Sequence, residues 1–376
     1  MTESHDDYRI ALYYCYVPIE NVDHYISVQR DLCIRNNLMG RIRVSPEGMN
    51  GVLSGLYKDL LVYQQSTEET LDIKYCRLRS DLPVSSQLFT SLSIKATREV
   101  VGLYEPEPQH AQRQGRRKQQ RKRQGEDDHS QKDNTRLSIT SNKVELLLST
   151  LYEPAPHVSP HEWNDLLLED PKNTILLDAR NVYESRVGHF RVEGIPTLLT
   201  NTRKYSNLPR VLEASRDMLA GKRVFMYCTG GVRCERASVY LQALFADAEQ
   251  RPTQIYQLDG GIQRYLEQYG NGNKGCLYSG KNFVFDPRRT DPVEGMSCAG
   301  RCLLCDTPHD DYDNGHAPCE HKEARCGKCR VLVLVCNSCR SQVRSWGEPS
   351  NDNVPDLYCG GSQCIGQGNA IQPTIV

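Results

Sequence analysis

The sequence predicts an α/β protein of three modules: an N-terminal α+β unit, a central unit on a parallel sheet, and a tail folded around metal. Three observations predict it. Residues 8–104 read in the order β-α-β-β-α-β, and residues 137–270 alternate short apolar runs with helical stretches. Eleven of the 16 cysteines lie at or beyond Cys276. A chain of 376 residues exceeds one ordinary core and calls for two or three domains.

The first module opens on "IALYYCYVPI", a β-rich run. "NVDHYISVQRDLCIRN" follows with Tyr25, Val28 and Leu32 at helical spacing. "GRIRVSPEGMNGVLSG" reads as two strands joined by a turn at Gly48, Asn50 and Gly51. A helical stretch over 57–71 and a last run, "SLSIKATREVVGL", complete a split β-α-β, ferredoxin-like order in residues 1–104.

Residues 105–136 carry seven Arg or Lys between Arg113 and Arg123, then a short acidic block. The basic run has no aliphatic residue to bury, so it reads as a disordered, solvated linker. The same composition suits a nuclear-import signal or a tether for RNA phosphates.

The central module, residues 137–270, contains "NTILLDAR" and "KRVFMYC", apolar runs bounded by turns as buried parallel strands should be. "CERASVYLQALF" places Ala237, Tyr240, Leu241 and Leu244 on one helical face, and "TQIYQLDGG" is a third strand closed by a glycine pair. Residues 271–295 read as a connector, and 296–376 as the cysteine-rich module with a flexible end.

Charge and targeting signals exclude some functions. Lys plus Arg (46) nearly cancels Asp plus Glu (47), so any nucleic-acid surface must come from local patches. No apolar stretch approaches the roughly 20 residues of a membrane helix. "MTESHDDYRI" resembles neither a signal peptide nor a transit sequence, which points to the cytosol or nucleus. Thiols stay reduced there, and clustered cysteines then indicate metal rather than disulfides.

The chemistry centres on Cys228, delivered to the C-terminal end of a strand, where open parallel sheets place their sites. Thr229, Gly230, Gly231, Val232 and Arg233 turn the chain into a helix beginning near Cys234. Two glycines let backbone N–H groups converge on one point, the helix adds its positive end, and Arg233 adds charge. All three favour a thiolate, hence a nucleophile. A buried cysteine packing as a small hydrophobe is the bland alternative, but glycines and an arginine are poor surroundings for one. Cys234 suits either a resolving thiol or a packed helix residue.

These residues resemble a known family. "YCTGGVRC" is similar to the active-site loop of rhodanese domains, which carry sulfur as a cysteine persulfide. "LLDARNVYESRVGHF" resembles their Asp-x-Arg, Glu, Gly-His pattern, with Asp178, Arg180, Glu184, Gly188 and His189 at those positions. "LDGGIQRY" resembles the last strand and turn, at Gly260 and Gly261. With "GKNFVFD" and "EGMNG", the whole chain outside the basic run is similar to the tRNA uridine hydroxylase family, including its eukaryotic rhodanese-like branch. The resemblance implies a ferredoxin-like domain, a rhodanese domain and a cysteine-rich C-terminus. It also implies 5-hydroxyuridine formation at the wobble position, with Cys228 and Arg233 catalytic and Asp178, Arg180 and His189 supporting. Only four residues separate Cys228 from Arg233, one too few for a dual-specificity phosphatase loop.

In the tail, "CLLC", "CGKC", "CNSC" and "CGGSQC" form four close pairs within 63 residues. Two intervening residues let one turn present two thiolates to a zinc ion. Cys302, Cys305, Cys326, Cys329, Cys336, Cys339, Cys359 and Cys364 are therefore expected to hold two structural zinc ions, with the sharing of pairs left open. Cys298, Cys319, His309, His316 and His321 are alternates.

The expected function is tRNA modification through Cys228, with Arg41, Arg43, Arg288 and Arg289 as basic patches for RNA. The sequence names no redox cofactor. The alternative is a sulfurtransferase that passes sulfur from a donor to a thiol acceptor through a Cys228 persulfide. A zinc-bearing interaction module with an inactive rhodanese domain fits poorly with an intact Cys228 loop.

Overall fold

The computed structural model describes residues 7–71, 77–103, 153–270, 275–291, 297–312, 323–349, 353–360 and 373–376; the basic run at 105–136 and Cys364 lie outside them. The N-terminal elements are β1 (Tyr8–Tyr16), α1 (Val22–Arg35), β2 (Met39–Ser45), β3 (Gly48–Leu56), α2 (Tyr57–Leu71), β4 (Arg77–Pro83) and β5 (Leu92–Ala96). The sheet order is β4-β1-β3-β2-β5, with β1 antiparallel to both neighbours and β5 parallel to β2. This is the expected split β-α-β with one strand added. The last strand of that pattern is Arg77–Pro83, whereas "SLSIK" pairs at the opposite edge. Both runs are β-prone, and only long-range pairing separates their places.

The β2–β3 turn also differs from expectation. It falls at Pro46 and Glu47, and Asn50 and Gly51 lie inside β3. Gly48 closes it at φ +142, where a Cβ would stand 2.1 Å from the Cys15 carbonyl oxygen.

Period-2 alternation gives the sheet two jobs. Ala11, Tyr13, Cys15, Ile42 and Val44 face α1 and α2 and form the core with Leu32, Cys33, Leu60 and Tyr63. Leu12, Tyr14, Arg41 and Arg43 face the central module.

That module contains β6 (His157–Val158), α3 (Pro160–Glu169), β7 (Thr174–Asp178), α4 (Val182–Ser185), β8 (Gly188–Phe190), β9 (Thr197–Leu199), α5 (Leu208–Ala214), α6 (Arg216–Leu219), β10 (Arg223–Tyr227), α7 (Val232–Leu244), β11 (Gln254–Leu258) and α8 (Gly261–Tyr269). Five parallel strands run β9-β7-β10-β11-β6, and β15 (Thr374–Ile375) adds antiparallel on β9. Every residue of β7 and β10 is buried, as both faces are covered. Ile175, Leu177, Val224, Met226 and Cys228 fill one face, while Leu176, Phe225 and Tyr227 fill the other with Trp163 and Tyr265. Alternation therefore points the Cys228 side chain toward α7.

Residues 275–291, read above as a connector, add β12 (Tyr278–Gly280) to β8 and form the pair β13 (Asn282–Phe283) and β14 (Thr290–Asp291). The cysteine-rich module has one short helix among its described residues, α9 (Asn337–Arg340). It docks on the central module through Tyr312, whose hydroxyl donates to the Tyr183 carbonyl at 2.7 Å beside Phe283, Leu332 and Leu334. Among the described residues, no helix is long and apolar enough to cross a membrane.

Candidate active site

Strand β10 hands the chain to Cys228 and α7 starts at Val232, two residues earlier than expected, leaving Cys228–Gly231 as the loop. Gly231 caps the helix at φ +90, a left-handed conformation that favours glycine. Its N–H donates to Cys228 Sγ at 3.1 Å. Burial alone would raise the Cys228 pKa. The Cys234 thiol, the Arg233 charge and the backbone N–H groups of Arg233 and Cys234 outweigh it and take the pKa from 9.0 to about 6. The sulfur is therefore mostly thiolate at neutral pH. Cys234 moves the opposite way, raised by burial and by the neighbouring Cys228 sulfur. It is the proton-bearing partner of the thiolate.

A shift of that sign has a direct consequence. Alkylation of Cys228 by iodoacetamide, followed by peptide mass spectrometry, is expected to reach half its maximal rate near pH 6 and to plateau above it. Cys234→Ala removes a donor and should move that midpoint upward. A wild-type midpoint at the ordinary cysteine value would overturn the thiolate.

Arg233 owes its position to Glu184. The guanidinium makes two bonds to the carboxylate, Nη1 to Oε2 at 2.7 Å and Nη2 to Oε1 at 2.6 Å, and Nη2 also donates to Thr229 Oγ1 at 3.0 Å. Thr229 donates in turn to Glu184 Oε1 at 3.1 Å. Glu184 is wholly buried, and this cluster, with hydrogen bonds from the Asn181 N–H at 3.1 Å and the Asn181 side-chain amide at 3.2 Å, compensates its charge. The loop is also clamped from behind. Ile262 N–H donates to the Cys228 carbonyl at 2.9 Å and Gln263 N–H to that of Thr229 at 3.0 Å. Gly261, at φ +66, allows this approach, since a Cβ there would lie 2.5 Å from the Cys228 oxygen.

The N-terminal sheet roofs the loop. Leu12 packs on Gly230, where a Cβ would meet its Cδ2 at 2.7 Å. Tyr14 donates to Glu235 Oε1 at 2.7 Å, and Tyr16 donates to the Val232 carbonyl at 3.1 Å. Arg236 pairs with Glu47 and stacks on Tyr16 at 5.0 Å. Between roof and loop lies a cavity of about 350 Å³ lined by Arg41, Arg43, Tyr183, Tyr205, Arg233 and Phe285 among others, with no acidic residue among the described ones. Cys228 itself is fully buried beneath the loop residues that floor this cavity.

The other expected site residues do not reach the cavity. Asp178 and Arg180, both fully buried, pair through Nε–Oδ1 at 2.9 Å and Nη2–Oδ2 at 2.7 Å. Arg180 also donates to the Gly188 carbonyl at 2.6 Å. His189 Nδ1 donates to the Ser185 carbonyl at 2.9 Å, and its Nε2 accepts from Arg191 at 3.0 Å. Burial lowers its pKa, so the ring stays neutral. All three brace strand ends. Of the expected basic patches, Arg288 is held by Asp286 at 2.8 Å and Asp291 at 3.2 Å, whereas Arg289 lines a second cavity.

Two sulfur clusters stand in the tail. Cys302, Cys305, Cys336 and Cys339 lie within 4.8 Å of one another, as do Cys326, Cys329 and Cys359. The first and third pairs thus share one site, and the second pair joins Cys359 of the fourth at the other, a pairing that spacing left open. Four sulfurs about 2.3 Å from a tetrahedral ion would sit about 3.8 Å apart. Cys305 to Cys336 is 3.6 Å and Cys329 to Cys359 is 3.5 Å, so the donor sets fit a thiophilic metal.

Comparison with known proteins agrees with this architecture. Residues 8–100 match the UPF0176 acylphosphatase like domain and residues 279–350 the Rhodanase C-terminal domain. A tRNA uridine(34) hydroxylase of Rhodococcus erythropolis is 30% identical over 340 residues, covering 88% of this chain and 96% of the relative. That of Aster yellows witches'-broom phytoplasma is 30% identical over 327 residues, covering 86% and 88%. The chain belongs to the tRNA uridine(34) hydroxylase family. Rhodanese-like domain-containing protein 6 of Arabidopsis thaliana is 33% identical over 90% of this chain, which spans about half of that relative (52%).

For this tRNA uridine(34) hydroxylase family member, sequence reasoning missed the roof residues Leu12 and Tyr14, the rim residues Tyr205 and Phe285, and the role of Glu184. Glu184 and Phe285 had a signal, the one in the Asp-x-Arg, Glu, Gly-His pattern and the other in "GKNFVFD".

Proposed function

We infer that the protein hydroxylates the wobble uridine of tRNA to 5-hydroxyuridine, with Cys228 as the reacting thiolate. One observation carries this reading: Cys228, its pKa held down to about 6, lies under a cavity whose rim bears Arg41 and Arg43 and, among the described residues, no carboxylate. Arginines hold phosphates while aromatic walls receive a base, a division of labour usual in nucleic-acid sites. Arg233 supplies charge to the sulfur, and Glu184 positions Arg233. Asp178, Arg180 and His189 keep the surrounding strands in place. The relatives' names supply the reaction and its substrate. Zinc in both sulfur clusters, with Cys364 completing the second, holds the tail together. Residues 278–280, which pair with β8, count with the central module rather than with a connector.

Deleting the gene is expected to remove 5-hydroxyuridine-type nucleosides from digested tRNA. Wild-type protein should restore them, and Cys228→Ser should not. Unchanged nucleosides in the deletion strain would overturn the function.

The sulfurtransferase alternative uses the same cradle, which would also hold the outer sulfur of a persulfide. A cationic cavity large enough for a base is unneeded for a small thiol acceptor, so this reading ranks second. A Cys228 peptide heavier by one sulfur after thiosulfate treatment would support it.

A further inference from the structure

A second cavity, about 370 Å³, opens beside the first and shares Tyr183 and Phe285 with it. Its walls come from two modules, with Arg203, Lys204 and Arg289 on one side and Arg325 and Arg330 on the other. No carboxylate lines it among the described residues. Glu323 pairs with both Arg289 and Arg325, so one negative charge serves two guanidiniums and the wall stays positive.

Aromatic faces interleave with these cations. Phe285, 44% exposed, stands on the shared rim with the Arg233 guanidinium 5.6 Å from its ring centre. At the far end Arg330 stacks 4.2 Å above Trp346, itself 42% exposed. Arg289 and Arg330 both have positive φ, 62 and 64. Arg330 follows a CxxC turn, as Asp306 does at φ 58, so its backbone belongs to the knuckle. Arg289 closes the β13–β14 turn, donating to the Asp286 carbonyl at 3.2 Å and accepting from the Val284 N–H at 2.8 Å, so its left-handed backbone likewise belongs to a turn.

Resting on the function inferred above, we propose that the substrate RNA strand leaves the Cys228 cavity over Phe285 and crosses onto the cysteine-rich module, where Arg330 with Trp346, Lys204 and Arg289 form a second subsite for its flanking nucleotides. Exposed rings alternating with cations suit stacked bases and phosphates; an acidic peptide would use the charges and leave the rings idle. The metal module is then part of the RNA surface and not only a terminal fold.

The test is fluorescence anisotropy with the full-length, metal-loaded chain and a labelled anticodon stem-loop RNA, over a range of salt. An unchanged urea unfolding midpoint checks that each variant is folded. Phe285→Ala should weaken binding about five- to hundredfold, with Phe285→Tyr restoring it. Lys204→Ala with Arg330→Ala should reduce the magnitude of the log K against log salt slope by about 0.7 for each phosphate that the variant no longer neutralises. The surface change Trp346→Ala keeps the test open if Phe285→Ala misfolds, and should also weaken binding. Wild-type affinity and slope in Trp346→Ala and in the double variant would overturn the subsite, as would displacement of RNA by polyglutamate at equal charge concentration. Normal nucleosides in cells carrying variants with unimpaired RNA binding would leave the function standing and remove the subsite. RNA bound through these residues with uridine 34 unmodified would do the reverse.

Discussion

Dialysis against a strong zinc chelator is expected to unfold the described residues of the cysteine-rich module, 297–312, 323–349 and 353–360, while both sheets stay intact. The module cannot hold itself by apolar packing. Of the ten buried residues in its main cluster, four are cysteines, Cys302, Cys326, Cys339 and Cys359, and most of the rest are valines. Its described hydrogen bonds are mostly local turns such as Cys302 N–H to Thr307 and Cys326 N–H to Val331, with a few longer ties such as Leu303 N–H to Leu334, Trp346 N–H to Arg325 and Gly327 N–H to Leu357. Structural zinc contributes about 10–16 kcal/mol in small domains, as much as the roughly 8–15 kcal/mol from burying this cluster's four valines and Leu357. Because the two sites interleave along the chain, loss of one frees segments that the other needs. Hydrogen exchange should show the Cys302, Cys326 and Gly327 amides losing protection on chelation, with those of β7 and β10 unchanged. Full protection in a metal-free sample would remove the structural role assigned to zinc.

What the sequence disclosed follows from how local each feature is. Strand β10, the Cys228 loop and α7 were legible because periodicity, glycines and charge lie within one short stretch. The four cysteine pairs were legible for the same reason, but not which pairs meet, since three have identical spacing. The "SLSIK" strand was assigned the wrong place because its partner, β2, lies some fifty residues away. The roof over Cys228 was invisible. Tyr14 meets Glu235 across 221 residues, and no local pattern distinguishes Tyr14 from its neighbours in a β-strand. Alternation does announce that Arg41 and Arg43 share a face, yet what that face meets is a matter of domain packing.

Glu184→Gln should destabilise the protein by about 3–5 kcal/mol, the usual cost of leaving one member of a buried ion pair uncompensated. The substitution preserves shape and removes only charge. Arg233, 6% exposed, would then remain ionised with both of its carboxylate bonds weakened. A guanidinium keeps its proton in proteins whatever its partner, so deprotonation offers no escape. The damage extends to the loop, because Glu184 also accepts from Thr229 Oγ1 at 3.1 Å and from the Asn181 N–H at 3.1 Å. A second substitution decides whether charge or packing is at fault. If the unpaired guanidinium is the cause, Glu184→Gln combined with Arg233→Met should unfold at higher urea than Glu184→Gln alone, since it buries no unbalanced charge. Stability and reactivity should then part company. The double variant, lacking the positive group beside Cys228, should show its alkylation midpoint shifted above pH 6 even as its fold recovers. A single variant within about 1 kcal/mol of wild type, the range of an exposed pair, would mean that the ion pair does not hold the loop.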